Sequence, residues 1–93
     1  MLIKQANKGS KGMFYIGDEI APLAEMTYTM AAPEKMIIEH TEVSDELRGK
    51  NVGYQLVHTA VEYARTNHIK IIPLCPFARS VFNKKPEFAD VLP

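Results

Sequence analysis

Between residues 24 and 64 the chain changes its hydrophobic period once, and that change decides the class of fold. Over 24–30 the apolar residues Ala24, Met26, Tyr28 and Met30 alternate with Glu25, Thr27 and Thr29, as in a strand with one buried face. Residues 35–43 alternate again, which places Met36, Ile38 and His40 on one face and Ile37, Glu39, Thr41 and Val43 on the other. The Ala32-Pro33-Glu34 turn between the two runs predicts an antiparallel hairpin. Past residue 50 the period becomes helical: Val52, Leu56, Val57, Ala60, Val61 and Ala64 share a side, with Tyr54, His58, Glu62 and Arg65 around the rest. The β-branched run 69–74 then reads as a strand parallel to the one before the helix, because a strand–helix–strand crossover closes that way. Upstream, residues 2–5 and 13–16 are expected as strands about a turn at 8–12. Downstream, Pro76 opens a second helix that carries Phe77, Val81 and Phe82 inward, and residues 86–93 pack back as a short helical turn. The expectation is an α+β fold: a mixed, mostly antiparallel sheet, one crossover and a C-terminal helix.

Ninety-three residues suffice for one domain, expected over 1–93, with one modest core. Eleven basic residues balance eleven acidic ones, so no basic field gathers nucleic acid, and an RNA-binding sheet is disfavoured for want of a basic, aromatic-studded strand. The apolar runs are too short for a membrane span or a secretory leader. A soluble cytoplasmic protein, monomeric or weakly dimeric, is expected. One cysteine makes no internal disulfide, and no paired ligand spacing builds a zinc site.

Arg48-Gly49-Lys50-Asn51-Val52-Gly53-Tyr54 places two of the five glycines at the mouth of the helix. Glycine allows main-chain N–H groups to approach a ligand, and a helix start presents several N–H donors with no helical partner. With the helix dipole and the cations Arg48 and Lys50, such a turn holds phosphate; the plainer alternative is a turn that needs positive φ. The stretch resembles motif A of the GNAT superfamily of acyl-CoA-dependent N-acetyltransferases, in which Gln or Arg is followed by two residues, Gly, one residue, then Gly or Ala. Arg48 and Gly53 match, and Asn51 replaces the central glycine; asparagine is the non-glycine residue most tolerant of the left-handed region. Ile38-Glu39-His40-Thr41 and Pro73-Leu74-Cys75-Pro76-Phe77-Ala78 extend the resemblance to the very small bacterial GNAT-like proteins over nearly the whole chain. It implies a minimal GNAT fold and an N-acetyltransferase that binds acetyl-CoA through Arg48, Gly49, Lys50, Asn51, Val52, Gly53 and Tyr54. The pantetheine arm would run between the strands at 35–43 and 69–74, its amides meeting the backbone near Thr41 and Val43. The partner would be an amine acceptor, either a small molecule or a protein.

Cys75 lies directly before the helix at Pro76, where unpaired N–H groups favour a thiolate. His40 lies on the neighbouring strand, so the two are candidates for a base and nucleophile pair. Read without the resemblance, each is more commonly a core residue. The small GNAT-like proteins carry His-Thr and Cys-Pro-Phe at these places, and no tyrosine follows Tyr63 to serve as the usual acid. Cys75 is therefore expected to protonate the CoA thiolate or to accept the acetyl group, with His40 as base. A non-catalytic CoA-binding or regulatory module and a plain interaction domain are the rival readings. Arg79 is expected to face water.

Overall fold

A computed structural model describes all of residues 1–93. Five strands form one sheet in the order of the chain: β1 (Lys4–Lys8), β2 (Lys11–Gly17), β3 (Pro22–Ala32), β4 (Lys35–Val43) and β5 (Lys70–Pro73). The first four are antiparallel, and β5 lies parallel to β4. Helix α1 (Val52–Asn67) makes the crossover, α2 (Pro76–Lys84) follows β5, and 3₁₀ turns occupy Asp45–Leu47 and Pro86–Val91. The mixed sheet with its single parallel pair is the expected architecture.

All six apolar residues assigned to the inner side of α1 are buried. They join Phe14, Ile16, Met26, Tyr28, Met36, Ile38 and Ile71 from one face of the sheet and Ala78, Val81 and Phe82 from α2 in a single cluster. Burying each larger side chain contributes about 1.5–3 kcal/mol. The opposite sheet face carries Met13, Glu25, Thr27, Thr29, Ile37 and Glu42, none of them buried. Tyr15, also on that face, is shielded and has Lys4 Nζ 5.3 Å from its ring centroid. No helix is long and apolar enough to cross a membrane.

Several boundaries differ from the sequence reading. Strand β1 begins at Lys4, not residue 2, and the expected 8–12 turn is a two-residue turn, because Lys8 still pairs with Lys11. Gly9 takes φ +61 while Ser10 does not go positive, the pattern of a tight hairpin turn with glycine first. Helix α1 ends on His68 in the left-handed region (φ 56, ψ 46), its N–H bonded to Ala64 O, and Ile69 N–H reaches the same carbonyl at 2.8 Å.

The face assignment of β4 is overturned by a β-bulge. Tyr28 pairs with Ile38 but Thr27 pairs with His40, so Glu39 is an extra residue with no partner of its own in β3. An extra residue reverses the alternation beyond it. Thr41 and Val43 thus join Met36 and Ile38 on the helix-covered face, paired with Met26 and Ala24. His40 moves to the uncovered face, its side chain 63% exposed.

Candidate functional site

Strands β4 and β5 pair only from Lys35↔Lys70 to Ile38↔Pro73. Beyond that they part, and Ile38 O accepts from both Leu74 N–H (3.0 Å) and Cys75 N–H (3.1 Å). From Glu39 to Val43 the β5-facing edge of β4 has no strand partner, which leaves a V-shaped gap open on a row of unpaired main-chain groups.

At the mouth of the gap the chain turns through residues 48–51 into α1. Gly49 has φ +79 and Asn51 takes the left-handed conformation, φ 62 and ψ 28. Arg48 N–H bonds to Asp45 O, and the first helical bond of α1 runs from Gln55 N–H to Asn51 O at 3.2 Å. The six intervening amides, Gly49 to Tyr54, have no acceptor in the protein. Arg48 Nε lies 3.0 Å from Asp45 Oδ1, whereas Lys50 is exposed and has no carboxylate partner. A groove of about 320 Å³ opens here, lined by Thr41, Val43, Arg48, Gly49, Asn51, Val52, Gly53 and Tyr54 together with Leu47 and Phe77.

The two glycines are required for different reasons. Gly49 needs its positive φ, and a Cβ there would meet nothing. Gly53 is set by proximity: its Cβ would fall 2.6 Å from Phe77 Cζ. Phe77, expected in the core, instead lines the groove and is 41% exposed; Ala78 takes the inward position on α2.

Cys75 caps the N-terminus of α2 and is 5% exposed. Its Sγ lies 3.4 Å from Thr41 Oγ1, so a thiol donates to the hydroxyl and a thiolate accepts from it. Burial pushes the thiol pKa up, but the Thr41 side chain and the backbone groups of Ala78, Phe77 and Thr41 outweigh it and hold Cys75 below the ordinary thiol value. Thr41 became a candidate through its backbone alone. Its hydroxyl role depends on the bulge, which has no sequence signature.

The structure therefore brings Thr41, Val43 and the residues 48–54 together with Cys75, and it does not pair His40 with Cys75. His40 stands across the sheet, its Nε2 3.9 Å from Glu42 Oε2, opposite Thr27. Arg79 is exposed, as expected, and its guanidinium donates to Pro73 O (3.4 Å) and Leu74 O (3.2 Å).

The model of the GCN5-related N-acetyl-transferase family matches residues 13–91. The chain belongs to that family. A GCN5-like protein of Staphylococcus aureus, assigned as an N-acetyltransferase and solved by NMR, is similar to this family member at 44% identity and TM-score 0.78, over 99% of this chain and 87% of its own. The crystal structure of a ribosomal-protein-alanine N-acetyltransferase from Brucella melitensis biovar Abortus 2308 gives TM-score 0.66 at 11% identity, over 83% of this chain and 62% of that one. An IAA acetyltransferase from Bacillus cereus gives 0.60 at 18%, over 81% and 53%. At those two identities the likeness concerns the fold alone. No curated protein matches the sequence of this family member.

Proposed function

We propose that the chain binds acetyl-CoA and transfers its acetyl group to an amine. The observation that carries this reading is the run of six amides without acceptors, Gly49 to Tyr54, at the mouth of a strand gap whose inner end holds Cys75. A diphosphate is the ligand chemistry suited to such a turn. Arg48 and Lys50 add cationic charge, and the unpaired edge of β4 from Thr41 to Val43 offers main-chain partners to the pantetheine amides. Asn51 already has the left-handed conformation that the turn needs, which favours retained binding over a decayed site. Bound acetyl-CoA supplies an activated thioester carbonyl.

Cys75 is the nucleophile in this reading. Its pKa is held below the ordinary thiol value, which raises the share of the attacking thiolate, so the acyl-accepting role is preferred over the acid role. The Thr41 hydroxyl and the first amides of α2 favour the negative sulfur, which attacks the thioester carbonyl: a bond from carbon to Cys75 Sγ forms as the bond to the CoA sulfur breaks and CoA leaves as a thiolate. The neutral amine then attacks the acyl-cysteine, the Cys75 thiolate is released, and the surplus proton of the new amide nitrogen passes to a base. His40 cannot prime Cys75 across the sheet. It serves instead as the base for the incoming amine on the uncovered face, beside the same gap. Glu25 and Glu42, directly opposite each other on that face, favour a cationic acceptor there, while Glu39 is engaged by Lys11 and Thr29.

Intact-protein mass spectrometry after incubation with acetyl-CoA tests this, run beside Cys75→Ala and paired with calorimetric titration of CoA. A single acetyl adduct on the wild type, absent from the variant and discharged by added amine, is the expected result. CoA binding without an adduct removes the cysteine relay, and absence of CoA binding removes the function.

A further inference from the structure

Around the groove most cations are already engaged. Arg48 is paired with Asp45, Arg65 with Glu62 and Asp90, and Arg79 with the Pro73 and Leu74 carbonyls. Lys85 forms no ion pair, yet its position is defined. It follows the last residue of α2, its N–H is bonded to Val81 O at 3.0 Å, and it is partly buried, which is unusual for lysine. Its ammonium lies 5.2 Å from the centroid of the Tyr54 ring, and Tyr54 lines the groove. Behind Tyr54 stand Phe88, stacked at 6.1 Å and 19°, and His58 at 6.1 Å and 20°. Phe88 is in turn fixed by the segment Pro86–Val91, which Arg65 clamps through Asp90 and Glu87 O.

A charge mounted on an anchored aromatic wall is already positioned for a ligand, with little side-chain freedom left to lose. Building on the acetyl-CoA reading, we infer that Lys85 recognises the 3′-phosphate of the CoA adenosine, apart from the diphosphate held by the turn. CoA carries two separate phosphate groups. The six amides and Lys50 lie in the loop and the first turn of α1 and suit the diphosphate. The 3′-phosphomonoester, a ribose away and close to doubly charged at neutral pH, calls for a second cation at the groove wall, and Lys85 over Tyr54 offers one. Lys85 is then the residue that distinguishes CoA from dephospho-CoA.

The test titrates CoA and dephospho-CoA into the wild type, Lys85→Met and Lys85→Arg. Methionine keeps an apolar stem against Tyr54 and removes the charge. The wild type should prefer CoA by about fivefold or more, from one partly exposed ion pair with phosphate. Lys85→Met should lose that factor for CoA and leave dephospho-CoA unchanged, while Lys85→Arg keeps the preference. Equal affinity of the wild type for both ligands overturns the inference whatever the variants do. So does an equal loss for both ligands in Lys85→Met, which would mean that Lys85 only supports Tyr54. If the wild type binds neither ligand, the inference and the acetyl-CoA reading fall together.

Discussion

Gly53 gives the sharpest test of how the groove is built. Its φ is not in the left-handed region, so alanine fits the backbone and should stabilise the fold by about 0.4–1 kcal/mol through the unfolded chain. Against that gain, the new Cβ would lie 2.6 and 2.8 Å from Phe77 Cζ and Cε2, and such overpacking costs about 1–3 kcal/mol. Phe77 is at the surface and can swing partly aside, which places the cost near the lower end. Gly53→Ala should therefore destabilise the wild type by roughly 0.5–1 kcal/mol. In a Phe77→Ala background the clash is gone, and the same substitution should stabilise by about 0.5 kcal/mol. The coupling is then about 1–1.5 kcal/mol, well above the scatter of independent sites. Urea denaturation of the four proteins of the cycle measures it. The same sign of effect in both backgrounds would refute the assignment of Gly53 to contact with Phe77.

Asn51→Val should destabilise by about 1–2 kcal/mol in the same assay, since a β-branched residue resists φ 62, whereas Asn51→Gly should not destabilise. Thr41→Val should slow alkylation of Cys75 by iodoacetamide near neutral pH, because the lost hydroxyl lets the thiol pKa rise; an unchanged pH–rate profile would exclude the contact. Hydrogen bonding to Arg65 holds Asp90 below its ordinary carboxylate value. Its contribution to stability is thus present above the unfolded carboxylate pKa and lost as pH falls through the lower folded one, and Arg65→Ala should remove that acid dependence from a pH series of urea midpoints. Deleting Glu39, the residue with no partner in β3, should leave Thr41 and Val43 paired with Met26 and Ala24 on the helix-covered face and so retain CoA binding by calorimetry; loss of binding on deletion but not in Glu39→Ala would refute the assignment of Glu39 as the extra residue.

The helix and its inner residues were legible because a period of 3.6 persists over sixteen residues, and only one face of α1 can then meet a sheet. The left-handed turn was legible at Asn51 because backbone conformation there follows from residue type. The bulge was not. Nothing in Ile38-Glu39-His40-Thr41 marks Glu39 as the unpaired residue, since its extra place is set by pairing with β3, ten and more residues away. One hidden residue exchanged the faces of His40 and Thr41, and so replaced the expected cysteine–histidine pair with a cysteine–threonine one. Phe77 was misplaced for a related reason: helical spacing allowed either Phe77 or Ala78 inward, and the small residue is the one that fits against the sheet.

The carbonyl oxygen of Ile38 accepts two amides at the apex where β4 and β5 separate, and one of them belongs to Cys75. A single atom therefore serves as pivot for the angle between the strands and as anchor for the residue that carries the sulfur. Any wedge that widens the gap pulls on the Cys75 amide and tilts the start of α2 with it, so the two motions have one mechanical coordinate. A carbon-13 label on that carbonyl would report both in one vibrational band, shifted to low frequency by its two donors and rising when either is released.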